Sequence, residues 1–117
     1  MTGRLTTHVL DLSMGRPASG VLVELWQVES EPQFVKDSYT NKDGRLTEPL
    51  LEGDSLKQGI YEIRFHVGDY FRKLGTIHSE PAFLDCVPVR FGVSERESHY
   101  HIPLLISPGG YSTYRGS

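Results

Sequence analysis

Ser98–His99–Tyr100–His101–Ile102–Pro103–Leu104–Leu105–Ile106 is the stretch on which the reading of this chain turns. Its large apolar residues recur with period two, so Tyr100, Ile102, Leu104 and Ile106 share one face of an extended strand. That face is what a β-sheet core needs. The opposite face carries His99, His101, Pro103 and Leu105, a mixture of imidazole and apolar groups where an outer strand face is ordinarily polar. Such a face fits a subunit interface, a ligand pocket, or a pocket made by an interface.

The flanks keep the same rhythm. Ser107–Pro108–Gly109–Gly110 turns the chain, and residues 111–115 read as a last strand. Ser112 and Tyr114 then share one face, opposite Tyr111, Thr113 and Arg115. Upstream, residues 86–93 set Val87, Val89, Phe91 and Val93 inward and Arg90 outward, and residues 60–67 set Tyr61, Ile63, Phe65 and Val67 inward and Glu62, Arg64 and His66 outward. Between these strands Asp69 is predicted to cap a short helix over 70–74, with Gly75 just past its end. Further strands read at 5–12, 20–29 and 34–40, with a brief one at Arg45–Leu46. Asn41–Lys42–Asp43–Gly44 is a strong turn signal, and 50–59 reads as a polar loop. The first seven residues already alternate like a strand, which leaves no room for a signal peptide.

Composition agrees. Among 117 residues alanine occurs twice, at Ala18 and Ala82, against 21 Val, Ile and Thr, with Gly 12 and Pro 7. A chain poor in the best helix former and rich in β-branched residues and turn formers is predicted to be all-β, a sandwich or barrel spanning 1–117 as a single domain. A net charge of −3 speaks against an electrostatic grip on nucleic acid or an anionic membrane. The lone Cys86 allows no intrachain disulfide and no multi-cysteine zinc site. No apolar run approaches the ~20 residues that span a bilayer, and the cytoplasm follows as the default location. Gly-x-Ser-x-Gly, Gly-x-Gly-x-x-Gly and phosphate-cradling Gly-Lys-Ser/Thr motifs are all absent.

Histidine is what remains for chemistry, because its unperturbed pKa of ~6.5 lets it exchange protons near neutrality. On the first strand Thr6, His8, Leu10 and Leu12 lie opposite Leu5, Thr7 and Val9, so His8 shares a face with leucine as His101 does. Two imidazoles beside one pocket could activate a water, and a cation such as Arg45 could hold the charge that develops on an attacked carbonyl. The competing readings are surface or interface histidines, and a zinc site made by the His99-x-His101 pair with His8. Cys86 reads as a packed thiol and Glu24 beside Trp26 as an outer strand face.

Several blocks of the sequence carry a family resemblance. They are Leu5–Thr6–Thr7–His8–Val9–Leu10–Asp11, Gly15–Arg16–Pro17–Ala18, Thr40–Asn41–Lys42–Asp43–Gly44–Arg45, His99–Tyr100–His101–Ile102–Pro103–Leu104–Leu105, and the closing Ser112–Thr113–Tyr114–Arg115–Gly116–Ser117. In this order the chain resembles the 5-hydroxyisourate hydrolases, transthyretin-like enzymes of urate breakdown. The resemblance implies a sandwich of two four-stranded sheets with one short helix. It implies a homotetramer, a dimer of dimers with active sites at the dimer–dimer interface. It also implies catalytic roles at His8, Arg45 and His101, with the terminal Tyr114–Arg115–Gly116–Ser117 lining the site. A catalytic part for Ser117 is expected as well, with Leu105 and Pro103 as an apolar wall for a small-molecule substrate. No metal or organic cofactor is expected, since two imidazoles and a guanidinium cover the proton and charge requirements. The strand parity agrees independently, since His8, Leu10, His101, Pro103, Leu105, Ser112 and Tyr114 can share one surface. The expected reaction is hydrolytic opening of the six-membered ring. The alternatives are a non-catalytic carrier of planar aromatic ligands in the same cleft, and a monomeric or extracellular sandwich module.

Overall fold

The structure, a computed structural model, describes residues 3–117; Met1 and Thr2, where the strand-like reading of the first residues begins, lie outside the described residues. Nine strands form: β1 (Arg4–Asp11), β2 (Arg16–Pro17), β3 (Leu22–Gln27), β4 (Gln33–Tyr39), β5 (Leu51–Glu52), β6 (Gly59–Phe65), β7 (Val87–Val93), β8 (His99–Ser107) and β9 (Gly110–Thr113). Among the described residues one α-helix, α1 (Val67–Leu74), follows β6, and one 3-10 turn, Gly53–Ser55, follows β5.

Two sheets result, in the orders β4-β3-β6-β7 and β2-β1-β8-β9, with β5 also pairing β1. β5 takes the start of β1 (Arg4 and Leu5) and β2 its end (Leu10 and Asp11). The five-stranded sheet is therefore never more than four strands wide, which is how it meets the expectation of two four-stranded sheets. The inward faces meet in an apolar core: Leu5, Val9, Leu104 and Ile106 from one sheet and Val23, Leu25, Ile63 and Phe65 from the other are all 0% exposed. Thr7 sits among them with its hydroxyl donating to the Ile102 carbonyl at 2.6 Å, so the buried polar group is satisfied.

The structure departs from the sequence reading in several places, among them a short strand at Arg16–Pro17 and a β3 shorter than the expected 20–29. Val67 opens the helix instead of ending the strand, and α1 begins there with His66 as the residue before its first turn. Val67, Tyr70 and Phe71 are all buried. Their spacing is helical, whereas Val67 read together with Phe65 fits a strand, so this residue satisfies both periods. Asp69 consequently lies inside the first turn, where it pairs with Arg72 at 2.9 Å and does not cap. Gly75 ends the helix at φ +76°, as its position predicts. No strand forms at Arg45–Leu46, where a single bridge joins Arg45 to His8. Part of the expected 50–59 loop, Leu51–Glu52, is strand. The last strand stops at Thr113.

Glu62 points outward as expected yet is only 7% exposed. Arg64 donates to it at 2.7 Å and Arg90 at 3.2 Å, while the Arg64 guanidinium stacks 4.2 Å over the Trp26 ring. The hydrogen bond from Arg64 holds the Glu62 carboxyl below its ordinary range despite burial. Cys86 is half-buried, and burial together with nearby carboxylates pushes its thiol pKa up, which disfavours the nucleophilic thiolate.

Asp11, 1% exposed, ties the end of β1 to α1. It accepts from the Ser13 and Met14 amides at 2.9 and 3.2 Å and from the Tyr70 hydroxyl at 2.7 Å. Burial first, and then Asp11, raise the Tyr70 pKa far above its usual value, so the phenol stays a donor. Asp11→Ala strands these donors and is expected to cost about 1–3 kcal/mol in a chemical-denaturation curve. Tyr70→Phe, which leaves Asp11 bound to residues 13 and 14, should cost less.

Candidate active site

β1 and β8 are parallel neighbours, and their register decides the site. Thr6 lies opposite His101, His8 opposite Pro103, and Leu10 opposite Leu105. Paired residues share a face, so the two histidines come to the outer side of the sheet within two residues of each other. The segments joined here are 95 positions apart in the chain, so no local pattern could have shown their alignment.

Arg45 arrives from the other edge of β1. The 41–45 turn docks in the gap between β5 and β2: the Val9 amide donates to the Gly44 carbonyl at 2.8 Å, and Arg45 bridges His8. Asn41 builds the turn, its side-chain oxygen accepting from the Asp43 amide at 2.9 Å and the Arg45 amide at 3.2 Å. Gly44 is required for two reasons. Its φ is +74°, and a Cβ there would lie 2.3 Å from the Val9 carbonyl oxygen.

His8 donates from Nε2 to the Asp43 carbonyl at 2.9 Å; because a carbonyl only accepts, the proton sits on Nε2 and the lone pair of the neutral ring on Nδ1. His101 engages the Thr6 hydroxyl through Nδ1 at 2.8 Å. Both imidazoles are held below the ordinary histidine pKa. For His8 the causes are burial and then the Arg45 charge, with the Asp43 carbonyl opposing them. For His101 they are burial, then Arg45, then His8, with the Thr6 backbone opposing. Each ring is therefore neutral at pH 7 and able to accept a proton.

The C-terminal segment closes the other side. β9 pairs with β8 with Leu104 opposite Thr113, and the same register resumes at His101 opposite Gly116, whose amide donates to the His101 carbonyl at 2.7 Å. Carried through the gap, that register sets Tyr114 opposite Pro103, which has no N–H to give the pair; this is why the expected 111–115 strand is interrupted. Gly116 lies against the His101 ring so closely that a Cβ would fall 2.6 Å from its Cδ2.

The sequence-predicted residues divide into two groups. His8, Arg45, His101, Pro103, Leu105 and Gly116 come together on one face. Tyr114 is exposed beside Pro103, and Ser117 is exposed next to Gly116. Arg115 goes elsewhere: its guanidinium lies 4.3 Å over the Tyr100 ring and donates to the His99 carbonyl at 3.2 Å. With Thr113 and Tyr114 it also lines a cavity of about 260 Å³ against Phe91 and Tyr100. Among the described residues no group of three or more His, Cys, Asp or Glu is arranged to hold a metal. Sequence reasoning missed Thr6 and the Asp43 carbonyl. Thr6 was visible as the residue two before His8 on the same face, but its partner depended on the β1–β8 register.

A two-sheet sandwich with one helix, bearing two imidazoles of lowered pKa and a guanidinium on an outer sheet face, defines the transthyretin-like class of fold. Known proteins narrow this. The HIUase/Transthyretin family matches residues 5–116, and the chain belongs to that family. It is 53% identical to 5-hydroxyisourate hydrolase 2 of Rhizobium meliloti (strain 1021), over 99% of this chain and 98% of that protein. Among solved structures it resembles the 5-hydroxyisourate hydrolase of Klebsiella pneumoniae (TM-score 0.84, 35% identity, 98% of this chain and 99% of that one). It also resembles an (S)-allantoin synthase (TM-score 0.93, 43% identity), covering 99% of this chain but only 44% of that longer one.

Proposed function

We propose that this chain hydrolyses 5-hydroxyisourate to 2-oxo-4-hydroxy-4-carboxy-5-ureidoimidazoline, acting as one transthyretin-like domain over 1–117. The observation that carries the reading is the convergence of His8, Arg45 and His101 on one sheet face with both imidazoles held neutral. The full-length relatives of that name support it. Water attacks a carbonyl of the six-membered ring and gives its proton to the histidine pair. Arg45 holds the negative charge that develops on the carbonyl oxygen, and the ring C–N bond breaks as the nitrogen regains a proton. Pro103 and Leu105 form an apolar wall for the ring, and Tyr114, Gly116 and Ser117 bound its far side. Arg115 acts at the rim, by holding the terminal segment against β8.

The reading extends to assembly. The outer face that holds the histidines also carries Leu10 and Leu105, with Leu12 59% and Tyr114 60% exposed nearby. A second copy laid on this face would cover that apolar surface and close the site, as in a dimer of dimers. We place the reaction in the cytoplasm, in keeping with the lone cysteine; no helix among the described residues is long and apolar enough to cross a membrane. A carrier of planar aromatics could use the same cleft but has no use for two neutral imidazoles. The deciding experiment follows the ultraviolet decay of freshly generated 5-hydroxyisourate with and without protein. Acceleration in proportion to protein is expected; decay at the spontaneous rate, with the compound merely bound, would favour the carrier.

A further inference from the structure

We infer that Thr6 is a positioning residue that holds His101 as the Nδ1–H tautomer, so that Nε2 is the nitrogen that takes the proton of the attacking water. This rests on the hydrolase function proposed above and assigns the base within it.

The geometry comes from both sides of the ring. The Thr6 hydroxyl lies 2.8 Å from Nδ1, and the Gly116 backbone packs against Cδ2. The half of the imidazole nearest the backbone is thus held, and the distal edge carrying Nε2 is left to meet a ligand. A hydroxyl can donate to Nδ1 or accept from it. Only the accepting arrangement leaves a lone pair on Nε2, and only that arrangement survives proton uptake unchanged, because Nδ1–H keeps donating to the same oxygen in the imidazolium. His8 is set the other way round, with Nε2–H given to the Asp43 carbonyl and Nδ1 free. The two rings therefore present opposite nitrogens. Of the two, the partner of His101 sits on a β-strand locked into register, whereas the partner of His8 is a carbonyl in an exposed turn.

The test compares Thr6→Val, which keeps the shape and loses the hydroxyl, with Thr6→Ser, which keeps the hydroxyl. Two quantities are read: the ring nitrogen chemical shifts of His101 in histidine-labelled protein, and kcat and KM on 5-hydroxyisourate. The wild type should show Nδ1 protonated and Nε2 bare. Thr6→Val should move the ring toward the Nε2–H form and lower kcat on the order of tenfold, the rate equivalent of one lost hydrogen bond, with KM little changed. Thr6→Ser should restore both readings. Thr6→Ala supplies a second hydroxyl-free variant should the valine protein fold poorly. An unchanged tautomer in the hydroxyl-free variants, an unchanged kcat, or equal damage from serine and valine would each overturn the assignment. A wild-type protein without turnover overturns the hydrolase function instead. The ring shifts then uphold or overturn the Thr6 hold by themselves, so the two failures are told apart.

Discussion

His101→Asn is expected to lower kcat on 5-hydroxyisourate by about 10²- to 10⁴-fold, the range that a positioned general base contributes. The substitution is chosen for what it keeps. An asparagine amide reaches about as far as Nδ1, so the Thr6 hydroxyl retains a polar partner, and the strand pairing to Thr6 and Gly116 uses only backbone. What disappears is a nitrogen that can change its protonation near neutral pH. Size-exclusion elution and the denaturation midpoint should match the wild type while the catalysed decay vanishes. A variant with wild-type turnover would remove His101 from the mechanism.

Arg45→Gln is expected to act twice. Losing the guanidinium removes the charge that meets the developing oxyanion, a loss on the order of 10²-fold in kcat/KM. It also removes one of the causes that hold both imidazoles low, the Arg45 charge being second to burial at each. The sign follows from electrostatics: a nearby cation disfavours the imidazolium, so its removal raises both histidine pKa values. The active form is neutral, and the wild-type acid limb of kcat/KM therefore lies on the acid side of an ordinary histidine. In Arg45→Gln that limb moves toward higher pH, and the deficit is larger at pH 6 than at pH 8. A pH profile of both proteins checks this. A uniform deficit at every pH would mean that Arg45 acts on the substrate alone and leaves the histidines untouched.

Most of the scaffold was legible because its information is local. Alternation in the segments around Ile63, Val89 and Leu104 needed only a window of a few residues, as did the Asn41–Gly44 turn and the glycine stop at Gly75. The errors lay where one residue served two periods or where pairing lent order to a segment with little of its own. Val67 fits strand and helix alike. Leu51 and Glu52 become strand only because the start of β1 offers them a partner. Glu62 keeps the outward face read from the sequence, and only its cover, Arg64 and Arg90 folded over it, needed the tertiary structure.

By itself the sequence determined the inward faces, the turns and the odd company of histidine with leucine and proline on the faces left over. Side-chain parity is a property of a strand alone. Tertiary structure decided which leftover faces meet. Whether Thr6 or another residue stands beside His101 depends on how two strands 95 positions apart slide past each other, and a slip of one residue would carry His8 to the core. That register is fixed by the apolar residues of both strands seeking the same interior. The burial of Leu5, Val9, Leu104 and Ile106 thus brings His8, His101 and Thr6 together on the opposite side.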